Sequence, residues 1–402
     1  MNKWIYSIFL LSNMMNSYAQ NNGACQNPKI KVAGPRELVY SYKHNQCSPM
    51  DVPDTPAMAF KDAEGTVHLF NGFSGSFMSV GPSLNNVHRD CSRPFANEIK
   101  PAKNNTPESF DNWKWFRSPW TNDGKTIYGL IHNEFHGWEN PEQYCPSGKE
   151  APCLFPNVTV SQSTDGGKTF HVRKGAKGNV ILGMVTPYPY DKNAKKQGGV
   201  RAPTNIISRK ENGTIYYYLL ASNRHATGLN QQGGTCLYRT DDVSNPSHWR
   251  AWDGKSFSVV VNATIYRNKN LNVNQHLCTP VFGPPPSSWT YNTVLNQYIA
   301  VVGMKVNGSS AFGYITSPDM LNWSVPKPLM KTTLDQFHAS KRGSGIAGQT
   351  YPSLLDPTSA GLNFEYSGAH PYLYFTRFNP KEKGGTWHNR DLIRVPIEVS
   401  CS

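Results

Sequence analysis

The sequence predicts an all-β fold, a five-bladed β-propeller whose four-stranded antiparallel blades surround a central axis. A proline-anchored pattern recurs five times along the 402 residues, and a run of β-branched and aromatic residues follows each copy. Long segments with helical periodicity are missing, which argues against a helical solenoid. The chain carries 33 Gly and 30 Pro residues, as many short strands joined by tight turns require.

The repeat presents a different residue at the same position in each copy, two residues before the proline. The five copies are Asp54-Thr-Pro56, Arg117-Ser-Pro119, Arg201-Ala-Pro203, Cys278-Thr-Pro280 and Thr350-Tyr-Pro352. By subtraction, the prolines are 63, 84, 77 and 72 residues apart, which suits one blade with long loops per interval. Equivalent positions are expected to face the same way, toward the mouth of the axis where the first strands converge.

The first two blades are expected on either side of residue 100. Blade one lies within 51–94, with strands at 55–60 and 66–70. Blade two starts near Trp113, turns at 122–125 and continues through 126–133 and 158–172. Asn-Asp-Gly suits this turn because its central positions need φ above zero.

The remaining blades follow the same scheme. Blade three has strands at 205–208 and 215–221 around the turn residues Asn212 and Gly213. The expected strands of the last two blades are 281–282, 298–302 and 311–316 in blade four, and 353–355, 372–377 and 392–399 in blade five.

The N-terminus has the pattern of a secretory signal peptide. Lys3 precedes an apolar stretch at 4–11, and small residues follow up to Ala19. We expect cleavage near Ala19, so that 1–19 is the signal peptide and 20–402 a single propeller domain of a secreted or periplasmic protein. The apolar stretch is too short to span a bilayer comfortably, so stable membrane insertion is not expected. Asn22-Gly-Ala-Cys25 leaves lipidation as an alternative.

Eight cysteines remain after that cleavage, and an even number in an exported chain indicates disulfides. Cys145 and Cys153 bracket a short loop and are the expected local pair. Zinc binding is the alternative, but Cys-x-x-Cys pairs and Cys/His clusters at zinc spacing are absent from the sequence.

The net charge of +13 predicts an affinity for anions. The chain lacks dense Lys/Arg runs and recognition-helix patterns, and export makes nucleic acid an unsuitable partner. A glycan or another anionic small molecule fits better, and a solvated basic surface is the alternative. No cofactor is expected, an axial Ca²⁺ stays open, and a monomer is expected.

One segment carries a family resemblance. Ser163-Thr-Asp165-Gly-Gly167-Lys-Thr-Phe170 is similar to the Asp-box, found on the hairpin between the outer strands of sialidase-like propellers. Ser317-Pro-Asp319-Met-Leu-Asn-Trp323 resembles a degenerate copy, and Thr240-Asp-Asp242 with Trp249 a looser one. The resemblance implies a structural role for these aspartates, because the carboxylate accepts backbone N–H bonds in the turn and the aromatic ring packs between sheets.

Two further segments resemble catalytic elements of sialidases. Phe116-Arg117-Ser118-Pro119 is similar to the motif whose arginine grips the substrate carboxylate, and Val200-Arg201 repeats it. The segment 349–355 resembles the one that bears the tyrosine nucleophile, which implies this role for Tyr351. Asp54 or Asp51 would then be the acid/base, and Glu134 would assist Tyr351 as a general base.

With five blades, the predicted propeller resembles instead the five-bladed glycosidases of the arabinanase, xylosidase and fructosidase type. In that group an Asp of blade one is the base or nucleophile, and Asp54 matches it. The slots in blades two and three hold Arg117 and Arg201 where those enzymes have acids, so only Glu134 is left as the acid.

The candidate site therefore combines few acids with many cations. The catalytic candidates are Asp54, Glu134, Tyr351 and Asp51, and the substrate-binding candidates are Arg117, Arg201, Arg224, His225, His136 and Arg377. Guanidinium forks bind carboxylate, sulfate or phosphate in a bidentate way, which favours an anionic ligand. Each residue also has a structural alternative: turn capping for the aspartates, ion pairing between blades for the arginines, and packing for Tyr351.

Three function classes stay open on the sequence. The first is a glycoside hydrolase, sialidase-like or arabinanase-like, which acts on an anionic glycan in the axial pocket. The second is a polysaccharide lyase, in which Arg neutralises a uronate carboxylate while His or Tyr moves the C5 proton. The third is a sugar-binding propeller without catalysis. The carboxylates Asp54 and Glu134 favour the first.

Overall fold

The computed structural model describes residues 23–72, 75–92, 94, 106–172, 180–183, 199–224, 231–262, 272–333, 348–379 and 388–402. The expected signal peptide, 1–19, lies outside these residues. Within the described ranges, no helix has the length and apolar character needed to cross a bilayer.

Five antiparallel sheets form the protein, which confirms the five-bladed propeller. Two N-terminal strands, β1 (Pro28–Val32) and β2 (Glu37–Tyr40), belong to the last blade. Blade one consists of β3 (Met58–Lys61), β4 (Val67–Phe70), β5 (Ser79–Ser83) and β6 (Asn86–Arg89). Blade two consists of β7 (Trp113–Thr121), β8 (Ile127–His136), β9 (Leu154–Ser163) and an outer strand in two pieces, β10 (His171–Val172) and β11 (Val180–Leu182).

Blades three, four and five follow the same four-stranded plan, with additional short strands. Blade three has an inner strand in two pieces, β12 (Gly199–Arg201) and β13 (Ile207–Glu211), followed by β14 (Thr214–Arg224), β15 (Gly234–Thr240), β16 (Arg250–Trp252) and β17 (Phe257–Val260). Blade four consists of β18 (Pro286–Asn292), β19 (Gln297–Val306), β20 (Ser309–Ser317) and β21 (Lys327–Lys331). Blade five consists of β22 (Gln349–Leu355), β24 (Tyr372–Phe378) and β25 (Arg390–Cys401), with β1 and β2 as its outer strand.

Helical structure in the described part of the chain is confined to single turns. These are α1 (Tyr42–Asn45), α2 (Pro141–Tyr144) and 3₁₀ turns at Pro107–Ser109, Gly137–Glu139, Ala151–Cys153 and Val273–His276.

The blades close into a ring. Strands β3 and β7, β9 and β12, β14 and β18, β18 and β22, and finally β22 and β3 contact each other in turn. Five hydrophobic clusters fill the five spaces between neighbouring blades. In β4, for example, Leu69 packs toward blade five and Phe70 toward blade two. Both faces of a blade are therefore buried, which explains why the central strands are apolar at successive positions.

Four disulfides use all eight cysteines. The bond between Cys145 and Cys153 confirms the expected local pair. The bond between Cys25 and Cys401 joins the residues before β1 to the end of β25, and it fastens the two ends of the chain in blade five. Such a set of disulfides is typical of proteins that fold outside the cytosol.

The prediction for the inner strand of blade four is wrong. That strand is Pro286–Asn292, whereas Phe282 forms a bridge to Thr235 of blade three. Cys278 is bonded to Cys236 in β15, so its proline-anchored copy is held against blade three. The pattern recurs in sequence here, but the disulfide removes it from the axis.

The Ser/Thr-x-Asp segments all connect the third and fourth strands of their blades. In the first, Asp165 accepts the backbone N–H of Thr169 at 3.0 Å, and the Ser163 hydroxyl donates to its carboxylate at 2.6 Å. Asp319 accepts two backbone N–H groups in the same way. The carboxylates serve their own turns, and neither residue lines the cavity described below.

One connection crosses the end of the propeller that is opposite the cavity. Residues 356–371 leave blade five and contact the far ends of three other inner strands. Leu362 accepts the N–H of Lys61, the Asn363 side chain exchanges two hydrogen bonds with the Thr121 backbone, and β23 (Tyr366–Ser367) pairs with β18 in parallel. Because blades one and two are not neighbours of blade four, this axial crossing segment spans the axis.

Candidate active site

A cavity of about 890 Å³ opens at the end of the axis where the inner strands begin. Every blade contributes to it: Asp54 from blade one, Arg117 and Glu134 from blade two, Arg201 from blade three, Met304 from blade four and Tyr351 from blade five. Four of the five inner-strand positions singled out by the proline pattern, Asp54, Arg117, Arg201 and Thr350, thus lie in one cavity.

Asp54 is the centre of the most connected part of this cavity. The Tyr351 hydroxyl donates to Asp54 Oδ1 at 3.1 Å, and the Trp115 indole N–H donates to Oδ2 at 3.0 Å. The Arg390 guanidinium forms an ion pair with the same carboxylate. With three donors around it, Asp54 is arranged as a hydrogen-bond acceptor.

Arg390 is a site residue that sequence reasoning missed. It begins β25, its side chain is buried, and its guanidinium carbon lies 4.2 Å from the centre of the Phe378 ring. The proline pattern marks only inner strands, so it contains no signal for a residue on the third strand of a blade. An arginine followed by an acid at the start of a late strand, Arg390-Asp391, is the only cue.

Tyr351 adopts a backbone conformation that is rare for its residue type. Its φ is +55°, in the left-handed region, and the ladder between β22 and β24 shifts register between Thr350 and Ser353. A bulky residue in this region is strained, and such strain is concentrated at functional sites. Burial raises the pKa of the tyrosine, and the nearby Asp54 raises it further, so the free protein holds it as a neutral phenol.

Arg117 occupies a similar irregularity in blade two. The β7–β8 ladder shifts register between Phe116 and Ser118, and the bulge turns Arg117 toward the axis. Its Nε donates to the Pro203 carbonyl at 3.2 Å. Burial lowers its pKa to about 10, against the attraction of Tyr351 and Asp54. Arg117 is therefore a buried cation at neutral pH.

Glu134 lies between two histidines on the same strand. Its Oε1 is 2.8 Å from His132 Nε2, and its Oε2 is 3.0 Å from His136 Nε2. Alternate residues of β8 face the same side, which brings residues 132, 134 and 136 together. Burial raises the pKa of Glu134, but His132, His136 and the charge of Arg201 lower it more, so the carboxylate is ionised. Burial lowers the pKa of His132.

His136 is enclosed rather than exposed to the cavity. Its ring is stacked on Trp138 at 4.2 Å and on Trp113 at 5.8 Å, between ring centres. Its Nδ1 lies 3.4 Å from Glu139 Oε1, so both ring nitrogens face carboxylates. The expected contact of His136 with substrate is replaced by a contact with Glu134.

Several predicted site residues lie elsewhere. Asp51 is fully buried and pairs with Arg89 at 3.0 Å, and the Phe77 N–H also binds it, so it anchors the segment that leads to Asp54. Arg377 pairs with Asp391 at 2.7 Å and is not among the lining residues. For Arg224 only the backbone at the end of β14 is described, and His225 lies outside the described residues.

Three residues that line the cavity have a buried side-chain oxygen. They are Thr55, Gln349 and Thr350, and no hydrogen-bond partner for these oxygens is found within the described ranges. In the same ranges, no group of three or more His, Cys, Asp or Glu is arranged to hold a metal ion.

The protein is a disulfide-bonded five-bladed propeller with a cavity at one end of its axis. No family model matches the chain, and no curated protein is significantly similar to it. Several solved structures are similar in fold over nearly the full length. One comes from the GH130 family of mannoside phosphorylases, which contains glycoside hydrolases that target β-1,2 mannosidic linkages in Candida mannan. Its TM-score is 0.48 and its sequence identity 12%, and the match covers 92% of this chain and 94% of that one.

Two other similar structures are those of enzymes that act on carbohydrates. A glycosyl hydrolase from Bacteroides ovatus has a TM-score of 0.46 and 12% identity, over 91% of this chain and 94% of that one. An N-acetylgalactosamine deacetylase from F. plautii, in complex with blood group B trisaccharide, has a TM-score of 0.44 and 13% identity, over 92% and 95%. Likeness at this level says nothing about the chemistry of the cavity, which has to be judged from its own residues.

Proposed function

We propose that the protein is an exported glycoside hydrolase that cleaves a glycan at an acidic sugar bound in the axial cavity. The observation that supports this most directly is the contact of Tyr351 with Asp54. The hydroxyl and the carboxylate are 3.1 Å apart beside the buried cation Arg117. A nucleophile and its base within hydrogen-bond reach are the minimal requirement for covalent catalysis.

The arginines would select the substrate. Arg117 and Arg201 line the same cavity, and a carboxylate or sulfate of the sugar would take the place between them. Arg390 is occupied by Asp54 and would hold the base in position. Thr55, Gln349 and Thr350 also line the cavity and would contact the sugar.

The proposed reaction has two steps. In the first, the Tyr351 oxygen attacks the anomeric carbon, its proton passes to Asp54, and the leaving oxygen takes a proton that protonated His136 passes on through the Glu134 carboxylate. In the second, water attacks the same carbon, its proton returns through Glu134 to His136, and Tyr351 leaves and recovers its proton from Asp54. A neutral phenol suits this role because a carboxylate nucleophile would be repelled by an anionic sugar.

In this scheme the two carboxylates exchange the roles implied by the sialidase resemblance and keep those implied by the arabinanase-type resemblance. Glu134 was the expected base for Tyr351, but its two oxygens bind His132 and His136. Asp54 was the expected acid/base, and the contact of Tyr351 with it favours the role of base for the nucleophile.

The test is turnover of acidic oligosaccharides by wild type, Tyr351→Phe and Glu134→Gln. We expect each variant to lose at least about 10³-fold in kcat, as for other catalytic groups that act as a unit. A 2-fluoro glycoside of the substrate should leave a sugar on the peptide that contains Tyr351. Tyr216→Phe is the matched control, because Tyr216 lies near the end of β14 that is far from the cavity and does not line it. Full activity of Tyr351→Phe, with the adduct on another residue, would contradict the proposal.

A lyase is the second candidate because the resting protonation states suit it. Burial keeps Tyr351 protonated as a proton donor, and Glu134 is ionised as a base. Arg117 would neutralise the uronate carboxylate, Glu134 would take the C5 proton, and Tyr351 would protonate the leaving oxygen. Ultraviolet absorbance of an unsaturated product distinguishes this reaction from hydrolysis. Binding of glycans without any product would leave the sugar-binding alternative.

A further inference from the structure

One wall of the cavity differs from the others in chemistry. The walls from blades one, two, three and five carry the charged and phenolic groups of the proposed site. Six blade-four lining residues have side chains that neither carry charge nor form hydrogen bonds: Pro285, Pro286, Gly303, Met304, Ala311 and Phe312. The same blade also contributes the hydroxyl residues Ser287, Ser310 and Thr332. Its only charged lining residue in the described ranges is Lys305, near the turn between β19 and β20.

Packing fixes this blade-four wall. Gly303 pairs with Phe312, and Met304 pairs with Ala311, across the β19–β20 ladder. The Phe312 ring packs against Phe375 of blade five with centres 5.8 Å apart. The Met304 thioether lies across Gly313, where an added Cβ would come within 2.3 Å of its sulfur. The apolar surface is therefore built into the sheet.

The wall also leaves room in front of it. A Cβ added at Gly303 would meet no atom of the described residues within 4 Å, and the backbone there lies outside the left-handed region. Gly303 lines the cavity, so this open space belongs to the cavity. Because nothing in the backbone requires glycine, the space is the property that a side chain would remove.

We infer that the blade-four wall binds an apolar group of the ligand, methyl-sized or larger, while its acidic group lies at Arg117 and Arg201. Apolar surface in contact with water is unfavourable, and a ligand group that covers it gains affinity in proportion to the area. The inference rests on the proposed function in taking the ligand to be an acidic glycan. The apolar group is either an acyl substituent on the sugar or an apolar aglycone.

The experiment measures binding by calorimetry, so that it does not depend on turnover. The probes are methyl glycosides of galacturonate and glucuronate oligosaccharides, the same compounds after O-acetylation, and their phenyl glycosides. The variant Gly303→Leu fills the open space, and Gly283→Leu is the matched control. Gly283 is also open on its Cβ side, but it does not line the cavity.

We expect wild type and Gly283→Leu to bind at least one modified series about 4-fold tighter or more than its methyl glycoside parent, the contribution of one buried methyl-sized group. Gly303→Leu should lose that preference and keep its affinity for the parent. A preference for acetylated sugars identifies a substituent pocket, and a preference for phenyl glycosides identifies an aglycone site. No preference, or a preference unchanged in Gly303→Leu, would overturn the inference. If wild type hydrolyses none of the acidic oligosaccharides but keeps its binding preference for a modified series, that result counts against the proposed function alone.

Discussion

Removal of the disulfide between Cys25 and Cys401 is expected to be the most destabilising change among the four bonds. The two cysteines are 376 residues apart. The entropy that a cross-link removes from the unfolded chain grows with the logarithm of loop length, which gives about 6 kcal/mol at 25 °C for this loop. The other three bonds lie inside it and shorten its free length, which lowers the value by only a few tenths of a kcal/mol. The Cys145–Cys153 bond spans 8 residues and should be worth about 2.5 kcal/mol.

The assay is guanidinium unfolding of the paired variants C25S/C401S and C145S/C153S against wild type. The structure offers a useful comparison, because the loops closed by the two bonds differ greatly in length. Cys25, Cys145 and Cys153 are buried, whereas Cys401 is exposed. We expect the first variant to lose about 3 kcal/mol more than the second, and to unfold with a steeper denaturant slope because its unfolded chain is less compact and exposes more surface. Equal losses, or a smaller loss in C25S/C401S, would refute the loop-closure reasoning and indicate that pairing of β1 with β25 closes the ring by itself.

Other predictions concern the cavity and the outer turns. Glu134→Gln should destabilise the protein at neutral pH. Because the pKa of Glu134 is depressed in the folded protein, its ionised carboxylate contributes fully to stability above the ordinary pKa of 4.5, and this contribution is lost as the pH falls. In urea unfolding, the difference in stability between wild type and variant should therefore be smaller at about pH 4 than at neutral pH. Binding of an anionic sugar should weaken as the pH rises through about 10, where Arg117 loses its proton, and Arg117→Met should abolish it at every pH; equal binding by wild type and variant would contradict this role. Asp165→Ala should lower the free energy of unfolding by about 1 kcal/mol without changing activity, since Asp165 serves its own turn; a loss of activity in the folded variant would contradict this.

The sequence was sufficient to predict the five-bladed ring, but it predicted only part of the candidate active site. Repeated proline-anchored strands are local features, and they predicted Asp54, Arg117, Arg201 and the segment of Tyr351 near one axis. Arg390 could not be found this way, because its position depends on pairing between the third and second strands of blade five. Blade four failed for another reason: the disulfide of Cys278 holds a matching segment away from the axis, and disulfide pairing over 42 residues has no signal in spacing.

The role of Asp51 illustrates the same limit on the scale of single residues. Asp51 and Asp54 are equivalent in a turn-like sequence, but one is fully buried against Arg89 and the other faces the cavity. Which of two neighbouring carboxylates meets the buried arginine is decided by packing of β6 against the chain before β3. Local propensity does not contain that information.

The axial crossing segment affects how small molecules enter and leave the cavity. It is tied to blades one, two and four at the end of the axis opposite the cavity, through Lys61, Thr121 and β18. Within the described ranges this segment covers that end of the axis, so a molecule that reaches Asp54 and Tyr351 would return to solvent through the mouth by which it entered. Entry of the next ligand would then wait until that mouth is clear, so residence time in the cavity would set an upper limit on how often the site can be refilled.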